Sequence, residues 1–269
     1  MNRLVVVRGA GDLATGCIVR LVRSGFRVIA LETEKPTAIR RTVSLSEAVY
    51  EGRTRVEDVE ACLVGTIDEA LALAVDKVVP VLVDPEGSSI GILDPAALVD
   101  AILAKRNLGT RRGLAPVVVA LGPGFVAGVD ADAVVETNRG HDLGRVILEG
   151  AAAPDTAVPG EIGGAASERV VRAASAGRFV ALCDIGDSVA PGEVVAAVEG
   201  AERAEIRSAL GGVVRGMLHP GLEVTPGFKV ADVDPRGRRQ NCFTVSDKSR
   251  AVGGAVLEAI LMLGRQLRA

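Results

Sequence analysis

The sequence predicts an α/β protein: a Rossmann-like, mostly parallel sheet with helices on both faces, a small all-β domain after it, and a returning C-terminal helix. Three observations carry this. Over the first half, short apolar runs alternate with segments of helical period, the pattern of a parallel sheet covered on both faces. From about Ala153, short Val-rich runs separated by Gly and Pro replace the helical periods. Near the end, KSRAVGGAVLEAILMLGRQL reads as one long helix with an apolar face that must pack onto the α/β part. The expected boundaries are residues 1–152, 153–240 and 241–269.

Taken in order, LVVVR (Leu4 to Arg8) is a buried strand. Leu13 to Ser24 is a helix whose apolar face is Leu13, Cys17, Ile18, Leu21 and Val22, ended by Gly25. RVIALE (Arg27 to Glu32) is the second strand, and SLSEAVYEG carries a short helical piece. ACLVG (Ala61 to Gly65) is a third strand and IDEALALAV a helix, with Thr66 or Asp68 near its start. VVPVLVD (Val78 to Asp84) is a strand, and Asp94 with Pro95 opens a helix over PAALVDAILAKR. PVVVALG (Pro116 to Gly122) is a further strand, followed by short ones at AVVETN and RVILEG.

The all-β part holds an internal repeat. GDSVAPGEVV (Gly186 to Val195) is echoed by GLEVTPGFKV (Gly221 to Val230) at a constant offset of 35 residues, which predicts a unit with pseudo-twofold symmetry. These turns resemble those of the barrel-sandwich domains that carry biotinyl and lipoyl groups, over roughly Phe179 to Asp234. A carrier of that kind needs a lysine at the tip of its central hairpin. Here the tip is EGAERAE (Glu199 to Glu205), and the stretch's lone lysine is Lys229. The fold is therefore retained and the carrier function set aside.

Composition excludes several classes. Lys and Arg number 31 against 34 Asp and Glu, and aromatic residues make up 2%, so neither a basic footprint nor stacking platforms for nucleic acid are present. No apolar run reaches the roughly 18 residues that span a bilayer, and the expectation is a cytoplasmic protein. Cys17, Cys62, Cys183 and Cys242 lie far apart with no paired spacing. With His141 and His219 as the two histidines, no metal site is expected. Cys17 reads as a buried structural thiol and His219 as a turn residue. The elongated β edges and the apolar C-terminal helix leave self-association open.

Gly9-Ala10-Gly11-Asp12-Leu13-Ala14 fits G-x-G-x-x-A between strand and helix, where glycines let a phosphate approach the backbone at a helix start. Glu32, ending the second strand, is placed to accept a ribose hydroxyl, which would suit NAD(P). Asp12 opposes that reading, because its carboxylate already satisfies the helix end and repels a pyrophosphate. A second glycine turn, Gly122-Pro123-Gly124, and a polar segment with Asn138, Arg139 and His141 follow later strands. In an open parallel sheet such loops gather along the carboxyl edge. Arg8, Gly9, Gly11, Asp12, Gly122, Pro123, Gly124, Asn138, Arg139 and His141 are therefore expected around one cleft for an extended anion. The alternative is that these glycines only make turns. Arg40 and Arg41, beyond the second strand, are placed either to reach a phosphate or to sit on the surface.

RGAGDLATG, EKPTAIRRTVSLSEAVYEG, VDAILAKRNLGT, LGPGF, ETNRGHDLGRVI and VGGAVLEAIL together resemble the YqeB family, proteins of the selenium-dependent molybdenum hydroxylase system. That family is related in role to the XdhC/CoxF maturation factors. The resemblance implies an accessory factor that binds the molybdenum cofactor, a molybdopterin-type anion, and serves an apo molybdenum hydroxylase during modification or insertion. It implies no catalytic residue. Two other classes stay open at this point: an NAD(P)-dependent oxidoreductase, and an assembly scaffold with no small ligand.

Overall fold

The computed structural model describes residues 3–156 and 160–264. Two units divide the chain: Met1–Pro36, Ser44–Thr156 and Val245–Ala269 form one, and Thr37–Val43 with Ala157–Thr244 the other.

The strands of the first unit are β1 (Leu4–Arg8), β2 (Arg27–Glu32), β3 (Arg53–Val56), β4 (Val59–Val64), β5 (Val78–Val83) and β6 (Ala97–Asp100). They continue with β7 (Val118–Leu121), β8 (Val126–Ala127), β9 (Ala133–Val135), β10 (Val146–Ile147) and β11 (Gly150–Ala151). Its helices are α1 (Asp12–Arg23), α2 (Ala48–Glu51), α3 (Ile67–Leu73), α4 (Ile90–Leu93) and α5 (Asp247–Leu263). Nine strands form one sheet in the order β10-β9-β7-β6-β1-β2-β5-β4-β3. From β9 to β4 neighbours run parallel. At the edges, β10 pairs antiparallel with β9 and β3 antiparallel with β4. Strands β1, β6 and β7 are buried along their whole length, which is why LVVV of β1 and VVAL of β7 are unbroken apolar runs rather than alternating ones. Leu4, Val6, Ile29 and Leu31 share one core with Ala70 of α3 and with Ile90 and Leu93 of α4.

Helix α5 lies beside α1. The two run parallel in close register, because α1 supplies Gly16 and α5 supplies Gly253. A Cβ on Gly16 would stand 2.5 Å from the Ser249 carbonyl oxygen, and one on Gly253 would stand 2.4 Å from that of Gly16. The expected helix over 248–267 thus spans Asp247–Leu263, and its last three positions lie outside the described residues.

The second unit contains β12 (Val170–Arg172), β13 (Gly177–Ala181), β14 (Ser188–Val189), β15 (Val194–Glu199), β16 (Arg203–Arg207), β17 (Gly212–Met217), β18 (Glu223–Val224) and β19 (Lys229–Asp234). They form two antiparallel sheets, β12-β19-β17-β14 and β16-β15-β13-β18. The 35-residue offset relates β13 to β17, β14 to β18 and β15 to β19. Backbone geometry repeats with it: Gly192 and Gly227, each following a proline, have φ of 81° and 82°. Gly177 and Gly212 each bring their Cα within what would be a 2.4 Å Cβ contact of a carbonyl, that of Glu199 and Asp234 respectively.

The expected class, a Rossmann-like sheet with helices on both faces plus a barrel-sandwich, is corrected by these sheets. The large sheet is mixed, two further four-stranded sheets are antiparallel throughout, and antiparallel pairings outnumber parallel ones among the described residues. The helix expected over PAALVDAILAKR is not a helix. Ala97–Asp100 is strand β6, docked between β1 and β7, and an irregular loop follows it. Asp94, read as opening that helix, instead closes α4 in the left-handed conformation (φ 43°, ψ 60°). A short apolar run carries both periods, and the empty slot beside β1 decides for strand. Among the described residues, no helix is long and apolar enough to cross a membrane.

Candidate functional site

Because β9 through β4 run parallel, the segments after β1, β6, β7 and β9 leave the sheet on one edge, its carboxyl edge. The β1–β6 boundary is the switch point, since the order departs from β1 toward β2 on one side and toward β6 on the other.

The glycines there bring loops together. Gly9 has φ 94°, and a Cβ on it would lie 2.9 Å from the Ala101 carbonyl oxygen in the loop after β6. Gly124, with φ 106°, faces the backbone of Lys105 and Arg106 in that same loop, the nearest atom 2.7 Å from a built Cβ. Gly122, with φ 71°, meets the Thr137 hydroxyl at 2.6 Å by the same measure. Each glycine thus admits the next loop along the edge, so their use is loop-on-loop packing. Pro123 sits half-buried between Gly122 and Gly124.

Arg8 fastens the loop after β6. Its Nη1 donates to Thr110 Oγ1 at 2.8 Å and to the Leu108 carbonyl at 3.1 Å. Its Nη2 donates to the Pro85 carbonyl at 3.0 Å. Thr110 Oγ1 donates onward to Asp100 Oδ2 at 2.6 Å, and that oxygen lies 3.6 Å from Arg8 Nη1. Arg8 is 2% exposed and Asp100 1%, so this ion pair is buried. The fastened loop carries Leu103 and Lys105 at φ 60°, a conformation that non-glycine residues adopt at a cost of order 1–3 kcal/mol each. Arg8, expected to meet a ligand, spends its guanidinium on the fold.

Glu32 is spent locally as well. Its Oε1 accepts from the Ala10 N–H at 2.9 Å and its Oε2 from the Thr33 N–H at 2.7 Å. Burial pushes its carboxyl above the usual range, against the pull of these two backbone donors. Gly11 is the N-cap of α1 and has no side chain to cap it. Asp12, the first residue of α1, accepts from Ser249 Oγ of α5 at 2.7 Å.

At the far side of the edge, Arg139 forms a two-pronged pair with Asp247 of α5, at 2.9 and 3.2 Å. The buried Glu136 carboxylate accepts from the N–H of Asn138 at 2.6 Å and of Ala153 at 2.7 Å. The Asn138 side chain and His141 are exposed. Arg40 and Arg41 belong to the second unit, where Arg40 Nη2 donates to the Asn241 carbonyl at 3.1 Å and Arg41 Nε to that of Met217 at 2.8 Å. Cys17 is fully buried, and burial pushes its thiol up to about 12, which makes it unreactive.

The structure adds one residue to this edge. Lys248 sits half-buried between Asp247 and Ser249, the two residues of α5 that engage Arg139 and Asp12. Burial, and next the nearby Arg139 charge, lower its pKa, while Asp12, Glu136 and Asp247 oppose the shift. A signal for it exists in the sequence: Lys248 is a cation in the first turn of a helix, where the dipole disfavours positive charge. What the edge offers chemically is two cations of differing commitment, one paired and one not, among backbone turns that hold the surrounding loops fixed.

No family model matches the chain. Over 265 residues it is 51% identical to the uncharacterized protein YqeB of Escherichia coli (strain K12), a match covering 98% of this chain and 48% of that protein. Solved structures similar to it include an aspartoacylase family protein from Mesorhizobium loti, at 12% identity and TM-score 0.30, covering 87% of this chain and 86% of that one. Another is a succinylglutamate desuccinylase/aspartoacylase from Rhodobacter sphaeroides, at 14% identity and TM-score 0.27, covering 86% and 85%. Likenesses this slight carry no argument about function. The chain is a relative of YqeB that spans about half the length of that protein.

Proposed function

We propose that this chain is an accessory factor for a molybdenum hydroxylase, binding an anionic cofactor of molybdopterin type for modification or insertion into the apo-enzyme. The observation that carries the proposal is the gathering of the loops after β1, β6, β7 and β9 along the carboxyl edge of the parallel strands, where α/β sheets bind their ligands, with Arg139 and Lys248 among the residues there. A pterin bearing a phosphate and a dithiolene is extended and anionic, and two cations beside rigid turns suit it. The work is binding and hand-over rather than turnover. Glu32 favours this reading over a nicotinamide enzyme, because its carboxylate is already taken by the Ala10 and Thr33 amides.

Expression of the chain in a host that makes molybdopterin, followed by anaerobic purification and oxidation of released pterin to its fluorescent form, tests the proposal. Pterin close to one equivalent per chain is expected. Protein free of pterin that instead copurifies with apo-hydroxylase would favour a ligand-free scaffold.

A further inference from the structure

We propose that β10 pairs with its own counterpart in a second copy of this chain, joining two nine-stranded sheets edge to edge across a twofold axis at Ile147. The proposal does not depend on the cofactor-binding reading. β10 ends the large sheet and has β9 alone as its ladder partner. In an antiparallel ladder, successive residues turn their backbone groups to opposite sides of the strand. The Glu136 N–H donates to the Arg145 carbonyl at 3.0 Å, so Arg145, and by alternation Ile147, turn toward β9. Val146 stands opposite Val135, whose carbonyl accepts from the Gly122 N–H at the end of β7 instead. The N–H and C=O of Val146 and Leu148 therefore point away from the sheet. Among the described residues, those of Leu148 have no hydrogen-bond partner.

The sequence of this edge is self-complementary. It reads Arg145-Val146-Ile147-Leu148-Glu149, between Gly144 and Gly150, whose φ of 81° and 91° turn the chain at either end. Antiparallel pairing of two copies about Ile147 sets Val146 against Leu148 of the other copy, and Arg145 against its Glu149, once on each side of the axis. Each Val146–Leu148 pair then exchanges two backbone hydrogen bonds through the outward groups. A shift of one residue would present inward-turned groups instead. A shift of two would keep the hydrogen bonds but set Arg145 against Ile147, so the charges select the register about Ile147. The present partner of Arg145 is Asp142, at 2.6 Å, and both side chains are exposed, so that pair contributes little and leaves guanidinium donors over. Apolar surface lies along the same edge. Leu148 is 50% exposed, and β8 with the turn after it, alongside β11, adds Val126 at 40% and Val129 at 69%. An unpaired strand edge flanked by exposed apolar side chains is a template for pairing with another chain.

The test is sedimentation velocity on the full chain over a dilution series. The wild type is expected to sediment as a dimer that dissociates on dilution. Arg145→Glu places like charges opposite each other on both sides of the axis, and so does Glu149→Arg. Each variant alone is expected to weaken the dimer about 10- to 100-fold. An equimolar mixture of the two restores opposite charges at both places and should form a heterodimer of nearly wild-type affinity. Both positions are exposed, so circular dichroism should show each variant folded. Val146→Pro removes an outward N–H while sparing the ladder to β9, and it should weaken the dimer as well. Wild-type chain that stays monomeric up to its solubility limit would overturn the proposal. So would a dimer indifferent to both charge reversals, or a mixture no more associated than its two components.

Discussion

Replacing Arg8 by alanine is expected to lower the unfolding free energy by about 3–5 kcal/mol, the range for removing one partner of a buried ion pair. The reason is the uncompensated group left behind. Asp100 is 1% exposed, and without the guanidinium its charge keeps the Thr110 hydroxyl and the Ile102 N–H as donors. The carbonyls of Pro85 and Leu108 lose the donors that Arg8 supplies them. Denaturant titration followed by circular dichroism measures the loss, and hydrogen exchange locates it, with protection falling first in the loop after β6. Arg8→Lys should fall between, because an ammonium keeps the charge but not the fork that spans Thr110 and Pro85. A loss under about 1 kcal/mol, the ordinary value for an exposed pair, would show that the loop does not depend on Arg8.

The second large effect is expected at the α1–α5 contact, where two adjacent glycines should respond with opposite sign. In an exposed helix, Gly→Ala stabilises by about 0.5–1 kcal/mol. Gly254 has nothing within 4 Å of a built Cβ, so Gly254→Ala should show that gain. Gly253 has the Gly16 carbonyl oxygen at 2.4 Å, so Gly253→Ala must push α5 off α1. Overpacking of this kind typically costs about 1–3 kcal/mol, which outweighs the propensity gain. Gly253→Val should lose more than Gly253→Ala. Thermal melts of the alanine pair decide the matter: a gain at both positions would mean that the helices are not in close contact.

Much of the first unit's local structure is legible in the chain's own pattern. LVVVR, RVIALE and VVPVLV are too apolar and too short for surface helices, and the run from Asp12 to Arg23 has a one-sided apolar face closed by Ser24 and Gly25. The 35-residue repeat marks the paired turns of the second unit, because Pro followed by left-handed Gly is a local requirement of the turn itself. What local pattern does not reveal is where neighbours stand. Ala97–Asp100 takes strand form because β1 and β7 leave it a ladder on each side, information absent from residues 95–106. Strand β3, whose sequence RTRV is polar and mostly exposed, is held by its hairpin with β4 at the sheet edge.

The candidate site shows the same division. The loops after β1, β7 and β9 do share the carboxyl edge, since parallel strands send them there. Their glycines face other loops, Arg8 at the end of β1 faces Asp100 and Glu32 at the end of β2 faces Ala10, and each of those pairings joins residues distant in sequence. Lys248 arrives from the opposite end of the chain, carried to the edge by the glycine contact between α1 and α5.

Anaerobic equilibrium titration of the full chain with freshly released molybdenum cofactor, with NADH and NADPH titrated in parallel, tests the central claim most directly. The expected result is saturable, stoichiometric cofactor binding, with neither nicotinamide bound. Binding of NADH or NADPH without the molybdenum cofactor would contradict the account and assign the glycine turn to a dinucleotide.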